Sequence, residues 1–582
     1  MSYSSGASTI SRRLCGAFAT SPSGGSPPTR FMTQRKLSLL AASALALIAS
    51  SAMAAQVKDA YLDFDGGPQW LPAATDGLSG AQTTGAALRS LPQNQSPASA
   101  VGLTFKGVSQ FDLRNILGGS FIPPDTMGAI GASQFMETTN GVYAVYSKAS
   151  GALQSMVDAR AFWAAAGMSD GSGLNGDARV LFDKSSQKWI ALQFGASVAD
   201  IQIAVSTTSN ALGAWRSTKF TGFAGGTADY PTLAIDQKAI YIGTNNFDGS
   251  DSFAGTTLNV ISRSDLLGGG APTTASLKQF YTPFPGTGED RGFAIQGVNN
   301  SGPDSGHVIA ASVFSNDSIR YNVANPGTAG ATTGPVTFLG LTNYAISNGG
   351  GRQPDGTRNI DPLDQRIGAS VWEQNGKIYA VYTATKVGGD HTEVRWIVSN
   401  AATNAVIQEG VIGDATHDFY EGSLTVNAAG QVVIGYNRSG FSAADGKVSF
   451  LARTYNSNAG GQLVQTNELL LHVSAVDDYH NGSVEGAPAK GPQRWGDYSA
   501  VTLDPNNDQS FWAIGEYAEV WNNVGGCSPG HPPGCTLSGG SSWGTWISEI
   551  NLAPVPEPGT YAIMIAGLLA LGAMSRRKAT KA

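Results

Sequence analysis

One pattern recurs along this chain and limits what it can fold into. It is clearest in QRWGDYSAVTLDPNNDQSFWAIGEY, Gln493 to Tyr517. A polar, Asp-bearing entry leads into a short strand over 499–503, a turn at Asp504-Pro505-Asn506-Asn507, and a second strand opening with Phe511-Trp512. Alternating apolar residues on both sides of a Pro/Asn turn predict an antiparallel hairpin. The same arrangement recurs in GDARVLFDKSSQKWIALQFG from Gly176, ADYPTLAIDQKAIYIGTNNF from Ala228 and DQRIGASVWEQNGKIYAVYT from Asp364. Weaker copies start at Pro123, Arg291 and Phe419. These seven copies lie roughly 50 to 75 residues apart, and repeats of this length made of short strands predict a β-propeller, because one small sheet cannot bury both faces alone. The expectation is an all-β propeller over 116–552 with about seven blades, six and eight being the alternatives.

Composition agrees. The chain has 582 residues, of which 74 are Gly and 14% are charged, which suits many tight turns and not long exposed helices. The formal net charge is −7, and residues 1–54 hold five basic and no acidic residues, so a processed form is more acidic still. The basic footprint of a nucleic-acid binder is absent.

Both ends read as addresses. Met32 to Lys36 form a positive segment before an apolar run ending in Ala52-Met53-Ala54, the pattern of a secretory signal peptide over 1–54, with Met32 as the expected true start. Residues 55–115 are rich in Ala, Gly, Ser, Gln and Pro and read as a poorly ordered leader, although 101–105 could form a strand that joins the last blade. At the other end, Val555-Pro556-Glu557-Pro558 precedes an uncharged stretch, 561–574, and a basic cluster, Arg576-Arg577-Lys578. As a helix the stretch would span about 21 Å, short of the ~30 Å hydrocarbon core. Residues 553–582 nevertheless resemble the PEP-CTERM sorting signal. That resemblance implies an exosortase as partner, transient anchoring in the inner membrane through one hydrophobic helix, and a Gram-negative, exopolysaccharide-producing host that delivers the protein to its surface or matrix.

Cys527 and Cys535 share the Pro/Gly loop GGCSPGHPPGCTLSGG and read, in an exported protein, as one disulfide. His531 between them does not make a four-ligand zinc site.

Charged and aromatic residues gather at the strand entries: Asp125, Asp177, Arg179, Asp229, Tyr230, Asp364, Arg366, Glu421, Arg494, Asp497 and Tyr498. If each entry starts an innermost strand, Asp177, Arg179, Asp229, Tyr230, Arg366, Glu421, Arg494 and Asp497 converge on one mouth of the central channel, where they could bind a glycan or an anion, or run acid/base hydrolysis. The competing reading is structural: an Asp repeated in several blades ties entries to neighbouring turns, whereas catalysis needs one acid. Arg179, Arg366 and Arg494 with the adjacent Tyr420-Glu421 bring a sialidase-like hydrolase to mind, yet the Ser-x-Asp-x-Gly-x-x-Trp box of that family is missing. No cofactor is expected. Calcium is the one ion with any support, from Asp248, Ser250 and Asp251 and from Asn507 with Asp508.

The segments PPDTMGAIG (123–131), ADYPTLAID (228–236), EVRWIV (393–398) and RWGDYSAVTLDP (494–505) also resemble a group of uncharacterised secreted bacterial propeller proteins. That resemblance implies the fold and no activity. The expected function is non-catalytic binding of polysaccharide or another extracellular partner, with a glycan-cleaving hydrolase as the alternative.

Overall fold

The strand alternation of the hairpins is realised almost residue for residue. Ala500–Leu503 pairs antiparallel with the start of Ser510–Trp521, Leu503 opposite Phe511. The Asp504 carboxylate accepts the Asn506 N–H at 2.8 Å to shape the turn. Asn375 and Gly376 take φ of 54° and 69°, the left-handed pair that a tight hairpin needs. The computed structural model describes residues 69–72 and 99–554, apart from internal stretches of which 480–492 and 522–540 are the longest. The signal peptide, the Cys527 and Cys535 loop and the tail from Val555 onward lie outside the described residues.

Among the described residues the strands form seven antiparallel meanders, taken here as blades in chain order: 127–158, 179–221, 226–283, 293–338, 371–412, 417–473 and 500–552. Each interface between consecutive blades holds its own apolar core. Adjacent residues of one strand serve different cores: Trp189 and Ala191 pack with Met136 and Val145 of the first blade, while Ile190 and Leu192 pack with Ile240 and Ile261 of the third. Sheets covered on both faces must be apolar on both, which is why these strands read as nearly continuous hydrophobic runs. The ring closes where Trp512, Ile514 and Ile547 of the seventh blade meet Phe135 and Tyr146 of the first. This closed sequence of sheets is a β-propeller.

Closure uses both chain ends. Ser99–Ser109 is the fourth strand of the seventh blade, antiparallel to Ser541–Leu552, with Phe105 opposite Ile547. Residues 99–115 therefore belong to the propeller and not to a leader, because without them Ser541–Leu552 would be an open edge. Gln110–Leu117 follows as a helix with a Ser109/Asp112 capping box, and Gln69–Pro72 pairs with Gly119–Ile122.

Two segments outside the strand alternation are packed into the ring. The run at Arg160 to Ala166 is the helix Ala159–Ala165, which buries Phe162 and Trp163 between the first two blades. In the stretch after Asn343, Tyr344 is buried against Tyr382, ring centroids 5.2 Å apart, and Tyr344–Ala345 pairs with 385–386. The fourth and fifth blades are joined by a short parallel pairing, Val298 opposite Val371.

Candidate functional site at the strand entries

Six non-glycine residues in or just before the inner strands lie in the left-handed region: Asp125 (φ 50°), Asp177 (59°), Tyr230 (53°), Ala294 (47°), Leu363 (60°) and Glu421 (55°). Each costs on the order of 1 kcal/mol and persists only where its surroundings impose it. At Asp177, Tyr230 and Ala294 a side chain from earlier in the ring does so. Asn140 of the first blade accepts the Asp177 N–H at 2.9 Å. Asp177 accepts the Tyr230 N–H at 3.2 Å, and Asn245 of the third blade accepts the Ala294 N–H at 2.9 Å. Across the closure, Asp125 accepts the Asp497 N–H at 2.9 Å through one oxygen and the Asn140 amide at 2.6 Å through the other.

Inside this relay lies a buried ionic layer. The Arg179 guanidinium stacks on Tyr498 at 3.5 Å from the ring centroid and crosses the axis to donate to Gly368 O at 3.1 Å, while its Nε donates to Pro231 O at 2.9 Å. Arg366 grips Asp364 through two bonds of 2.8 and 2.9 Å, lies 4.6 Å from the Tyr230 ring, and brings Nη1 to 3.8 Å from Asp497. Arg494 donates to Asp497 at 2.7 Å, and the Tyr498 hydroxyl donates to Asp177 at 2.9 Å.

The geometry thus brings together all eight residues expected at the channel mouth, in a packed layer instead of an open one. Asp177, Arg179, Asp229, Tyr230, Arg366, Glu421 and Asp497 are buried and Arg494 is half-buried. Beside them a cavity of about 310 Å³ is lined by Asp364, Arg366, Tyr382, Glu421 and Asp497, among others.

Burial dominates the electrostatics. It pushes Asp177 up to about 8, with Asp229 and Asp497 adding to the shift, and Asp229 up to about 7, with Asp497 adding. Burial first and then Asp497 raise Asp125 and Glu421 well above the carboxylate range, and burial with Glu421 does the same to Glu516. For the arginines burial works downward but is outweighed, by Asp364 at Arg366 and by Asp497 at Arg494, so both move up.

Three members escaped the sequence reading. Asn140 sits in an Asn-Gly pair that signals only a hairpin turn, Asn245 lies mid-strand, and Glu516 sits in a strand with a 2% exposed side chain. Beside Glu421, the Tyr420 hydroxyl donates to Ser439 at 3.1 Å, with its ring in the apolar core. The calcium candidates serve turns. Asp248 accepts from Ser250 N at 2.9 Å, Ser250 Oγ at 2.7 Å and Ser252 N at 3.1 Å, and Asn507 accepts from Gln509 N at 3.1 Å. Asp508 faces Ala428 N at 3.2 Å. Among the described residues no three His, Cys, Asp or Glu side chains are placed to hold a metal ion.

At the chain's end the decisive observation is a match over 25 residues. Residues 554–578 carry the PEP-CTERM protein-sorting motif. The motif marks an exported protein of a Gram-negative cell envelope and implies processing by an exosortase. No helix among the described residues is long and apolar enough to cross a membrane, and the stretch 561–574 lies outside them. No curated protein matches this chain. Among solved structures it is similar to a protein of unknown function from Dyadobacter fermentans, at 9% identity over 79% of this chain and 100% of that one, TM-score 0.34. It is also similar to the endo-arabinase of Bacteroides thetaiotaomicron (11% identity, 66% of this chain, 94% of that one, TM-score 0.26). The extracellular domains of Drosophila semaphorin 1b are a third (10%, 77% and 87%, TM-score 0.31).

Proposed function

We propose that this exported propeller is a non-catalytic surface or matrix protein that binds a glycan or another extracellular partner. The observation that carries this reading is the occupation of the entry residues by one another. Asp125 and Asp177 accept backbone N–H groups of other blades, and the arginines are held by Asp364, Asp497 and main-chain carbonyls. Side chains so engaged are suited to stapling blades together and poorly placed to receive a substrate. The second reading, a glycan-cleaving hydrolase, draws support from the 310 Å³ cavity, where Glu421, pushed up by burial, lies close to Asp497. One experiment separates them. The exported protein, incubated with its host's exopolysaccharide, is retained on the polymer without new reducing ends if it binds. Release of oligosaccharides, abolished in Glu421→Gln at unchanged thermal stability, overturns the binding reading.

A further inference from the structure

The hairpin turns that follow the innermost strands form one continuous face of the ring. Asn375 of the fifth blade donates to Ala428 O of the sixth at 3.0 Å, Asn427 of the sixth to Asp508 O of the seventh at 2.8 Å, and Asn506 of the seventh to Ala132 O of the first at 3.0 Å. Lys188 of the second blade donates to Leu267 O of the third at 3.1 Å, and Gln237 of the third to Ser301 O of the fourth at 3.0 Å. The strand entries, with Asp125, Asp177 and Asp497, lie at the other end of the innermost strands. The chain leaves the propeller on the turn face. Leu552 ends the last strand there, and Ala553 O accepts the Gln431 amide at 3.0 Å.

From Ala553 the chain has eight residues in which to reach Tyr561, where the uncharged stretch of the sorting signal begins. Fully extended, they span at most about 29 Å. To rest the strand-entry face on a bilayer, those residues would first have to run back along Ser541–Leu552, whose 12 residues rise about 36 Å. The tether is too short for that. Charge points the same way. Among the described residues, the turns of the entry face expose Asp251, Glu289, Asp390, Asp414 and Asp445, with Arg160 and Lys386 as exposed bases near them. The opposite turns expose Lys184 and Lys238 against Asp304. An anionic lipid surface repels the first face and not the second. We propose that, while the tail holds the protein at the membrane, the face carrying turns 131–133, 375–376, 427–431 and 504–509 is turned to the lipid surface and the strand-entry face is presented outward to the extracellular partner. The inference rests on the anchoring that the PEP-CTERM motif implies, and it holds for a glycan and for any other partner alike.

The test reconstitutes the full chain, tail included, with vesicles of phosphatidylethanolamine and phosphatidylglycerol that carry a rhodamine-labelled lipid as energy acceptor. A maleimide donor is placed on exposed alanines of the two faces, in Ala429→Cys on the turn face and Ala415→Cys on the entry face, and the unsubstituted protein gives the background from Cys527 and Cys535. The donor at position 429 should lose more than half of its emission to the lipid acceptor, and the donor at position 415 at least threefold less. Equal transfer from the two positions, or more from 415, overturns the proposed face. Inserting about twenty Gly and Ser residues between Ala553 and Pro554 should shrink the difference at least twofold, because a long flexible tether no longer fixes which face meets the lipid. A difference unchanged by the insertion overturns the tether as its cause. Protein that fails to float with the vesicles overturns the anchoring, and the inference with it, while the glycan reading stands or falls on polymer retention.

Discussion

Asp177 satisfies two donors at once, the Tyr230 N–H and the Tyr498 hydroxyl, from a left-handed backbone position. Removing it strands both donors in a buried site, so Asp177→Ala should cost about 2–4 kcal/mol, read as a lower denaturant midpoint. The same carboxyl makes a pH prediction. Asp177 and Asp229 titrate near 8 and 7 in the fold, against about 3.9 in an unfolded chain. Between those values the folded state holds the extra protons. The stability they contribute is fully present below about pH 4 and is lost as pH rises through 7 to 8, at up to ~1.4 kcal/mol per pH unit for each proton. Urea midpoints should be lower at pH 8.5 than at pH 5.5, and Asp177→Asn should flatten the slope. Midpoints that rise over this interval would contradict the assignment. The recurrence of Asp at the entries was legible in the sequence, but which donor each one meets was not. Those donors, such as the Tyr498 hydroxyl for Asp177 or the Asp497 N–H for Asp125, come from other blades, up to 372 residues away.

At the scale of elements, hairpins could be read because side-chain alternation and turn residues are local properties. Asn375-Gly376 and Asp504-Pro505 mark turns wherever they occur. The helix Ala159–Ala165 was missed for the opposite reason: its Phe162 and Trp163 are apolar because of an interface formed by two blades, which no short window displays. The closing strand was only partly legible, since Ser99–Ser109 pairs with residues more than 400 positions away. Deleting residues 55–109 should expose Ser541–Leu552 as an open edge, giving a lower melting temperature and concentration-dependent aggregation in light scattering. A monodisperse protein of unchanged melting temperature would contradict the closure. Packing between blades makes a second test. A Cβ at Gly131 would stand 2.3 Å from the ring of the fully buried Trp189, so Gly131→Ala should destabilise by about 1–3 kcal/mol through overpacking.

On the scale of the whole molecule, separately packed blade interfaces are joined at the centre by charged groups drawn from several blades. Buried Arg179 and Arg366, half-buried Arg494 and a larger number of buried carboxylates share one layer, where some partners are neighbours in sequence, Asp364 for Arg366 and Asp497 for Arg494, and others reach across blades, as Arg179 does to Gly368. The PEP-CTERM motif at 554–578 gives a separate prediction. Replacing Arg576, Arg577 and Lys578 by Ala should leave the propeller's melting temperature unchanged while altering processing and surface delivery in fractionated cells. The central claim, that the entry residues hold the ring together, is tested most directly by the melting temperature of Asp497→Asn. This carboxylate is shared by Arg494 at 2.7 Å and Arg366 at 3.8 Å, and its loss leaves the buried Arg366 and the half-buried Arg494 short of countercharge. The account predicts a loss of about 3 kcal/mol and a clear drop in melting temperature. An unchanged melting temperature would contradict it.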